Sequence, residues 1–309
     1  MGMADLLSDG PRSGDHQLRC TRVTLLAKVA ASSNAVEAWQ REHPHDGQAA
    51  VLAARVAVER ATRAVDAGLR EAWTLTEQAE LQCRQAASVD SRDPVPHLGL
   101  LALACVREDR DPGPGALPVS GPWNTFRDVW RVDPVNREAH HRMLTAVGGG
   151  RQPHPADAQM FAQSTVASIG LDVRSPLQLL PLYALIGIYE HQLRTRRREL
   201  PHLLWTGEGA RKDIERAWTW FEHADPRKHL VVDLSHLAHA LCASRQFDRA
   251  AEVFAALGPY GSPRPWNAVT ESGDGVEGLV RARALTISAA QQSPAPSGGA
   301  GWRPARSSP

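Results

Sequence analysis

The chain has 309 residues, of which 42% are hydrophobic and 22% are charged, and its formal net charge is +1. This length and composition are those of a globular protein with a substantial core, and they exclude a chain that is disordered throughout. A net charge near zero also excludes a strong overall attraction to nucleic acid or anionic lipid. We therefore expect neither nucleic acid nor a membrane among its partners.

The four cysteines lie too far apart to form a CxxC metal knuckle; they are Cys20, Cys83, Cys105 and Cys242. Three of them have apolar, helical surroundings, which are typical of buried thiols in a reducing cytosol. The first residues lack the basic and apolar regions of a signal peptide. The sequence thus predicts a cytoplasmic protein.

Residues 1–18 and 289–309 are rich in Gly, Pro and Ser, so we expect both termini to be disordered. Between them, residues 19–288 have helical patterns and predict one all-α domain. Asp-Pro pairs punctuate this domain, and three of them predict joints at which aspartate caps the next helix. The pairs that predict joints are Asp93-Pro94, Asp133-Pro134 and Asp225-Pro226, whereas a fourth, Asp111-Pro112, lies in a loop rich in Pro and Gly.

The stretch WRVDPVNREAHHRML, residues 130–144, holds two adjacent histidines and a glutamate, so it could be a metal site or a repeat joint. On a helix from Val135, His140 lies in the apolar stripe, whereas Glu138 and His141 lie on the other side. The two histidines then point about 100° apart and cannot share one metal ion. We predict that His140 is a core residue with a hydrogen-bond partner and that His141 is solvated.

Further helices are predicted after the Ser175-Pro176 pair, through Tyr189, and from a Thr206 cap to Asp225. The basic run Arg194–Arg198 lies between them. It could bind phosphate or nucleic acid, but its position favours a charged helix end, because cations are stable at a helix C-terminus. The near-zero net charge favours the same interpretation.

Residues 231–263, VVDLSHLAHALCASRQFDRAAEVFAALGPYGSP, form the clearest repeat unit. Large and small apolar residues recur on its first helix, and small and aromatic residues recur on its second. The residues in this pattern are Leu234, Leu237, Ala238 and Leu241, then Ala250, Phe254 and Leu257. The spacing is typical of a tetratricopeptide unit, and a weaker copy places Ala79, Cys83 and Ala86 in the equivalent second-helix positions.

The first helix of such a unit lines a groove that binds peptides or other chains. By register, the groove residues are Val232, Ser235, His239 and Cys242. Because they lie away from the leucine stripe, we expect them to face solvent. The alternative is a metal-binding or enzymatic face at four- and three-residue spacing, formed by His229, Asp233 and His236.

Several stretches together resemble a family of uncharacterised bacterial proteins, a domain of unknown function with tetratricopeptide-like helices. They are DPVPHLGLLALA, WRVDPVNREAHHRML, SPLQLLPLYA, LWTGEGARKDIERAWTWF and LAHALCASRQFDRAAEVFAALGPYGSPRPW, within about residues 70 to 266. The resemblance implies a fold and no established activity. In the family a tryptophan-glycine-glycine segment follows the NREAHHRML helix, whereas here the loop is AVGGGRQPHPADAQMFA, without tryptophan.

The chain has no phosphate-binding loop, no G-x-S-x-G elbow and no H-E-x-x-H helix, so we predict no catalytic residues, no metal and no cofactor. The patterns predict an all-α fold of antiparallel tetratricopeptide-like helix pairs, stacked as a short right-handed solenoid. We expect a non-enzymatic scaffold that binds a protein or peptide through its groove. The sequence leaves the partner's identity and the oligomeric state open.

Overall fold

The computed structural model of the protein describes residues 16–115, 117, 119–149, 154–170, 172–195, 201–268, 270 and 273–292. These residues form 14 α-helices and no β-strand, so the all-α prediction is confirmed for them. Within the same ranges, no helix is long and apolar enough to cross a membrane.

The chain divides into two compact units, residues 1–188 and 189–309, where the sequence predicted one domain over residues 19–288. The first described helix begins at His16 and the last ends at Gln292. Residues 16–18 and 289–292, expected to be disordered, are therefore helical. The remainder of each predicted terminus lies outside the described residues.

Unit 1 (residues 1–188) contains eight described helices and the start of a ninth. The eight are α1 (His16–Ala30), α2 (Ala35–Glu42), α3 (Gly47–Asp66), α4 (Ala72–Val89), α5 (Pro94–Val106), α6 (Trp123–Val132), α7 (Arg137–Gly148) and α8 (Pro155–Ile169). A one-turn 3-10 helix, Pro176–Leu179, leads into α9 (Leu180–Arg194), which crosses the boundary between the units.

Small residues allow three helices of unit 1 to pack closely. Ala79, Cys83 and Ala86 of α4 are buried, as predicted for the weaker repeat copy. A Cβ atom on Gly99 of α5 would lie 2.6 Å from the Cys83 Sγ atom and 3.2 Å from a methyl group of Val58. Glycine at this position therefore lets α5 approach both α3 and α4.

Unit 2 (residues 189–309) contains five further helices: α10 (Pro201–Thr206), α11 (Glu208–His223), α12 (Val231–Ala243), α13 (Phe247–Leu257) and α14 (Gly275–Gln292). Helices α12 and α13 are joined by three residues and pack on each other. All seven apolar residues of the predicted repeat pattern are buried, from Leu234 to Leu257. The burial expected from this pattern is thus confirmed.

The three predicted joints all lie between helices, but the predicted caps are correct only in part. The Asp93 side chain accepts a hydrogen bond from the Val95 N–H at 3.0 Å, and the Ser175 side chain accepts one from the Leu177 N–H at 3.4 Å, as expected for caps. Asp133-Pro134 does lie at a joint, between α6 and α7, but its predicted cap is wrong: Asp133 is the C-cap of α6, and Asn136 caps α7 through the Ala139 N–H at 3.0 Å.

The two caps predicted in unit 2 also differ. The Asp225 side chain accepts from the Arg227 N–H at 3.0 Å and so caps a 3-10 turn, Pro226–Lys228, while α12 begins later, at Val231. Thr206 ends α10, and Gly207 holds the N-cap position of α11. An aspartate before proline therefore caps a local turn, but that turn need not continue as the next long helix.

Candidate functional site

The predicted groove residues of α12 do share one face, but that face is not open to solvent. Ser235 and His239 are 0% and 2% exposed, and Val232 and Cys242 are only partly exposed. The expected solvent exposure of Ser235 and His239 is therefore wrong. Residues that follow α13 in the sequence cover this face. The helical register of α12 does not predict them, because it describes only residues within that helix.

We call residues 258–268, which connect α13 towards α14, the strap. The backbone N–H of Ser262 in the strap donates a hydrogen bond to the Ser235 Oγ atom at 2.9 Å. The Ser235 hydroxyl in turn donates to the Val231 carbonyl oxygen at 2.8 Å. This serine hydroxyl thus acts as both donor and acceptor, and it links the strap to the first turns of α12.

His239 lies between two tryptophan rings. Its ring centroid is 5.2 Å from that of Trp205 in α10 and 5.1 Å from that of Trp266 in the strap, and both contacts are edge-to-face. The His239 Nδ1 atom is buried and has no hydrogen-bond partner among the described residues. Burial lowers the pKa of His239 to about 3, so the imidazole is neutral at physiological pH.

Trp266 is the main apolar anchor of the strap. It is 2% exposed, and its ring lies 6.1 Å from that of Phe254 at an interplanar angle of 27°. The Trp266 Nε1 atom is also buried, without a hydrogen-bond partner in the described part of the chain. At the exposed side, the Arg264 guanidinium donates two hydrogen bonds to the Glu190 carboxylate, at 3.2 and 3.0 Å.

Helix α14 closes the other end of the same face. The Cys242 Sγ atom lies 3.4 Å from the Thr286 Oγ1 atom of α14. A Cβ atom on Gly261 would lie 2.1 Å from a Leu279 methyl group, so strap and helix are in tight contact there. Of the four predicted groove residues, three thus touch the strap, a tryptophan next to it, or α14.

The alternative metal-binding face is not assembled as predicted. His229 precedes α12 and packs on the rings of Trp220 and Phe221, at centroid distances of 4.6 and 5.5 Å. Asp233 and His236 are on the helix but are each 1% exposed. His229 therefore does not share one helix face with them. In the described ranges, no group of three or more His, Cys, Asp or Glu side chains is placed to hold a metal ion.

The first histidine of the His140–His141 pair is a core residue, as predicted. The His140 Nδ1 atom lies 2.8 Å from the Asn136 carbonyl oxygen, and its ring packs edge-to-face on that of Phe126 at 5.1 Å. Burial lowers its pKa. The prediction for His141 is wrong: it is half-buried, and its ring lies 4.4 Å from that of Tyr183.

Sequence reasoning missed a charged cluster around Glu138 of α7. Its carboxylate forms an ion pair with Arg55 of α3 and accepts hydrogen bonds from Arg142 at 2.9 and 2.7 Å and from Thr24 at 3.1 Å. Burial acts to raise the pKa of Glu138, but the two guanidinium groups outweigh it and lower that pKa to about 2. The four-residue spacing of Glu138 and Arg142 could have predicted their ion pair. The pairing with Arg55 could not be predicted, because Arg55 is 83 residues away in the sequence.

The basic run Arg194–Arg198 lies only partly within the described residues. Arg194 is exposed at the end of α9, and residues 196–200 lie outside the described residues.

No family model, curated protein or solved structure matches the chain. The resemblance to a tetratricopeptide-like family therefore remains a prediction that rests on the sequence motifs.

Proposed function

We propose that this chain is a non-enzymatic protein–protein interaction module, built of tetratricopeptide-like helix pairs in a short right-handed solenoid and acting in the cytoplasm. The close pair α12 and α13, with its buried apolar pattern, supports the repeat architecture. Four cysteines, all of them free thiols, agree with a reducing compartment. The observation that carries the proposed interaction role is an apolar stripe on α14.

Helix α14 exposes apolar side chains, three of which share one side. Val276, Val280 and Ile287 are 58%, 61% and 48% exposed. Four and seven residues separate them, so they line up along one side of the helix. Thr286, next to Ile287 in sequence and about 100° from it around the helix, is buried. The helix therefore carries an exposed apolar stripe beside its buried side.

A surface helix of a soluble protein normally directs polar residues outward, and the outer helix of a repeat array has a polar cap for the same reason. Burying apolar surface stabilises by about 25 cal/mol per Å², so an exposed stripe favours association. From Val276 to Ile287 the stripe runs about 16 Å, at 1.5 Å per residue. A narrow, straight stripe of this length fits an amphipathic helix of another protein chain.

Helix α1 has a similar feature, since Leu25 and Val29 are 59% and 79% exposed and lie one turn apart.

The ionisable groups with strongly shifted pKa values favour a non-enzymatic role, because their side chains are held by contacts within the fold. Glu138 is held by two arginines, and His239 is enclosed between two tryptophans.

The test uses two adjacent substitutions on α14, Ile287→Glu and Ser288→Glu. Both residues are exposed and both variants gain the same charge, but the side chains point about 100° apart. We expect Ile287→Glu to abolish affinity capture of the partner, identified by mass spectrometry, and Ser288→Glu to retain it. Light scattering shows whether the partner is a second copy. Equal capture by both variants would exclude the α14 stripe as the recognition surface.

A further inference from the structure

The strap has the composition of a peptide ligand. Its sequence, GPYGSPRPWNA, contains Pro259, Pro263 and Pro265, and each proline removes a backbone hydrogen-bond donor. The strap ends in a 3-10 turn, Trp266–Ala268. Within the strap, Tyr260, Pro263 and Arg264 are exposed, whereas Pro265 and Trp266 are buried. The Pro265–Trp266 pair is thus the buried part of the strap.

The surface under the strap has the character of a groove for proline-rich segments. Such segments dock on aromatic side chains, with a few backbone hydrogen bonds. Here the aromatic side chains are Trp205, His239 and Phe254, and the backbone bond is Ser262 N–H to Ser235 Oγ. Glu190 pairs with the strap's arginine at the rim. These contacts come from several elements of unit 2 and converge on one segment.

The fit of the strap is incomplete in one respect. His239 is 98% buried, since its exposed fraction is 2%, and its Nδ1 atom meets no hydrogen-bond partner among the described residues. The Trp266 Nε1–H is likewise buried and unsatisfied within those ranges. Unsatisfied buried polar groups cost free energy, so another segment with a suitable polar group beside His239 could bind this face more tightly than the strap does.

We propose that the α12 face is a binding site for proline-rich segments carrying an aromatic residue, and that the strap is its intramolecular occupant. A partner segment of the same chemistry binds by displacing the strap. The groove residues Ser235 and His239 are then covered in the free protein and become a binding surface when the strap leaves. This site is separate from the α14 stripe, and it rests on the proposed function only in that both bind protein chains.

The probe is a fluorescein-labelled synthetic peptide with the strap sequence, GPYGSPRPWNA, added to the full chain. Trp266→Ala removes the anchor of the strap from its place beside His239. We expect this variant to bind the peptide with a Kd at least tenfold below that of the wild-type chain. Trp73→Ala is the matched control, because Trp73 is 63% exposed on α4, and it should bind like wild type. A peptide with alanine in place of its tryptophan should not bind.

If Trp266→Ala loses its helical circular dichroism and is therefore unfolded, a second variant and a second measurement still test the proposal. Arg264→Glu removes the exposed contact with Glu190 and leaves the buried anchor in place, so a smaller gain of about threefold is expected. In the wild-type chain, excess peptide should speed hydrogen–deuterium exchange of the strap amides. Unchanged exchange, or equal peptide affinity of wild type and the folded strap variants, would overturn the proposal.

The outcome is independent of the proposed recognition role of α14. Ile287→Glu should bind the strap peptide with the wild-type Kd. If that variant loses its captured partner but binds the peptide normally, the two surfaces act separately. If the strap variants gain no peptide affinity, the strap proposal fails whether or not α14 captures a partner.

Discussion

The two units each bury a histidine among aromatic rings, but they treat its polar atoms differently. In unit 1, the His140 Nδ1 atom contacts the Asn136 carbonyl oxygen. In unit 2, the corresponding Nδ1 atom of His239 has no partner among the described residues, although its ring is enclosed by Trp205 and Trp266. His140 is therefore a core residue whose Nδ1 atom has a hydrogen-bond partner. His239 lies on a face that the strap covers, but the strap supplies no partner for its Nδ1 atom.

The largest expected effect comes from placing charge on the covered face. Ser235→Glu with His239→Glu would bury two carboxylates without counter-ions, so we expect a loss of more than about 4 kcal/mol and unfolding of unit 2. Thermal melting by circular dichroism measures this. His223→Glu, at an exposed histidine of α11, should melt within a few degrees of wild type. A native-like double variant would show that the strap does not seal the face.

In unit 1, the ion-pair cluster should be sensitive to the loss of its anion. Glu138→Gln leaves Arg55 buried without its carboxylate, and we expect a loss of about 3 kcal/mol at pH 7 in urea unfolding. Glu277→Gln breaks an exposed pair with Arg281 and should cost less than about 1 kcal/mol. Equal effects of the two substitutions would contradict the structural role of the cluster.

The packing of α12 on α13 can be tested at Ala250. Ala250 of α13 is 0% exposed in this packed pair, so Ala250→Leu should overpack it and cost about 1–3 kcal/mol. Ala255 is exposed on the same helix, and Ala255→Leu should leave the free energy of unfolding within about 0.5 kcal/mol of wild type. A melting temperature of Ala250→Leu equal to that of wild type would show that the helices do not pack closely there.

The pH dependence of stability tests the smallest of these effects, the burial of His239 in its neutral form. The folded pKa of His239, about 3, lies below its usual value of 6.5, so the unfolded chain binds the proton first as the pH falls. Stability from neutral His239 is therefore present above pH 6.5 and is lost as the pH falls towards 3. Between pH 6.5 and 5, wild type should lose about 2 kcal/mol more than His239→Gln.

This difference is measured by urea unfolding at each pH. His140 also has a lowered pKa, but it is present in both proteins and cancels in the comparison. Glu138 does not interfere in this window, because its depressed pKa of about 2 makes its contribution fall only as the pH drops from 4.5 towards 2. Parallel stability curves for wild type and His239→Gln would show that His239 is not buried in its neutral form.

Local sequence patterns predicted the helices, several of their buried residues and two of their caps. The apolar pattern of α12 and α13 correctly identified the buried residues from Leu234 to Leu257, and the caps at Asp93 and Ser175 were placed correctly. The cap at Asn136 was missed because Asp133-Pro134 offers the same local chemistry three residues earlier. The local sequence thus predicts several residues that could cap a helix, and the helix packing determines which of them is the cap.

The sequence by itself determined the helical class and the buried residues of α4, α12 and α13, because both follow from interactions within about four residues. The face of α12 that carries Ser235 and His239 was also assigned correctly as a separate face. Only the tertiary structure decided that this face is covered, since Ser262 reaches Ser235 from 27 residues away. It also decided the pairing of Arg55 with Glu138 across 83 residues. Such contacts depend on how the chain returns on itself, which no helical period encodes.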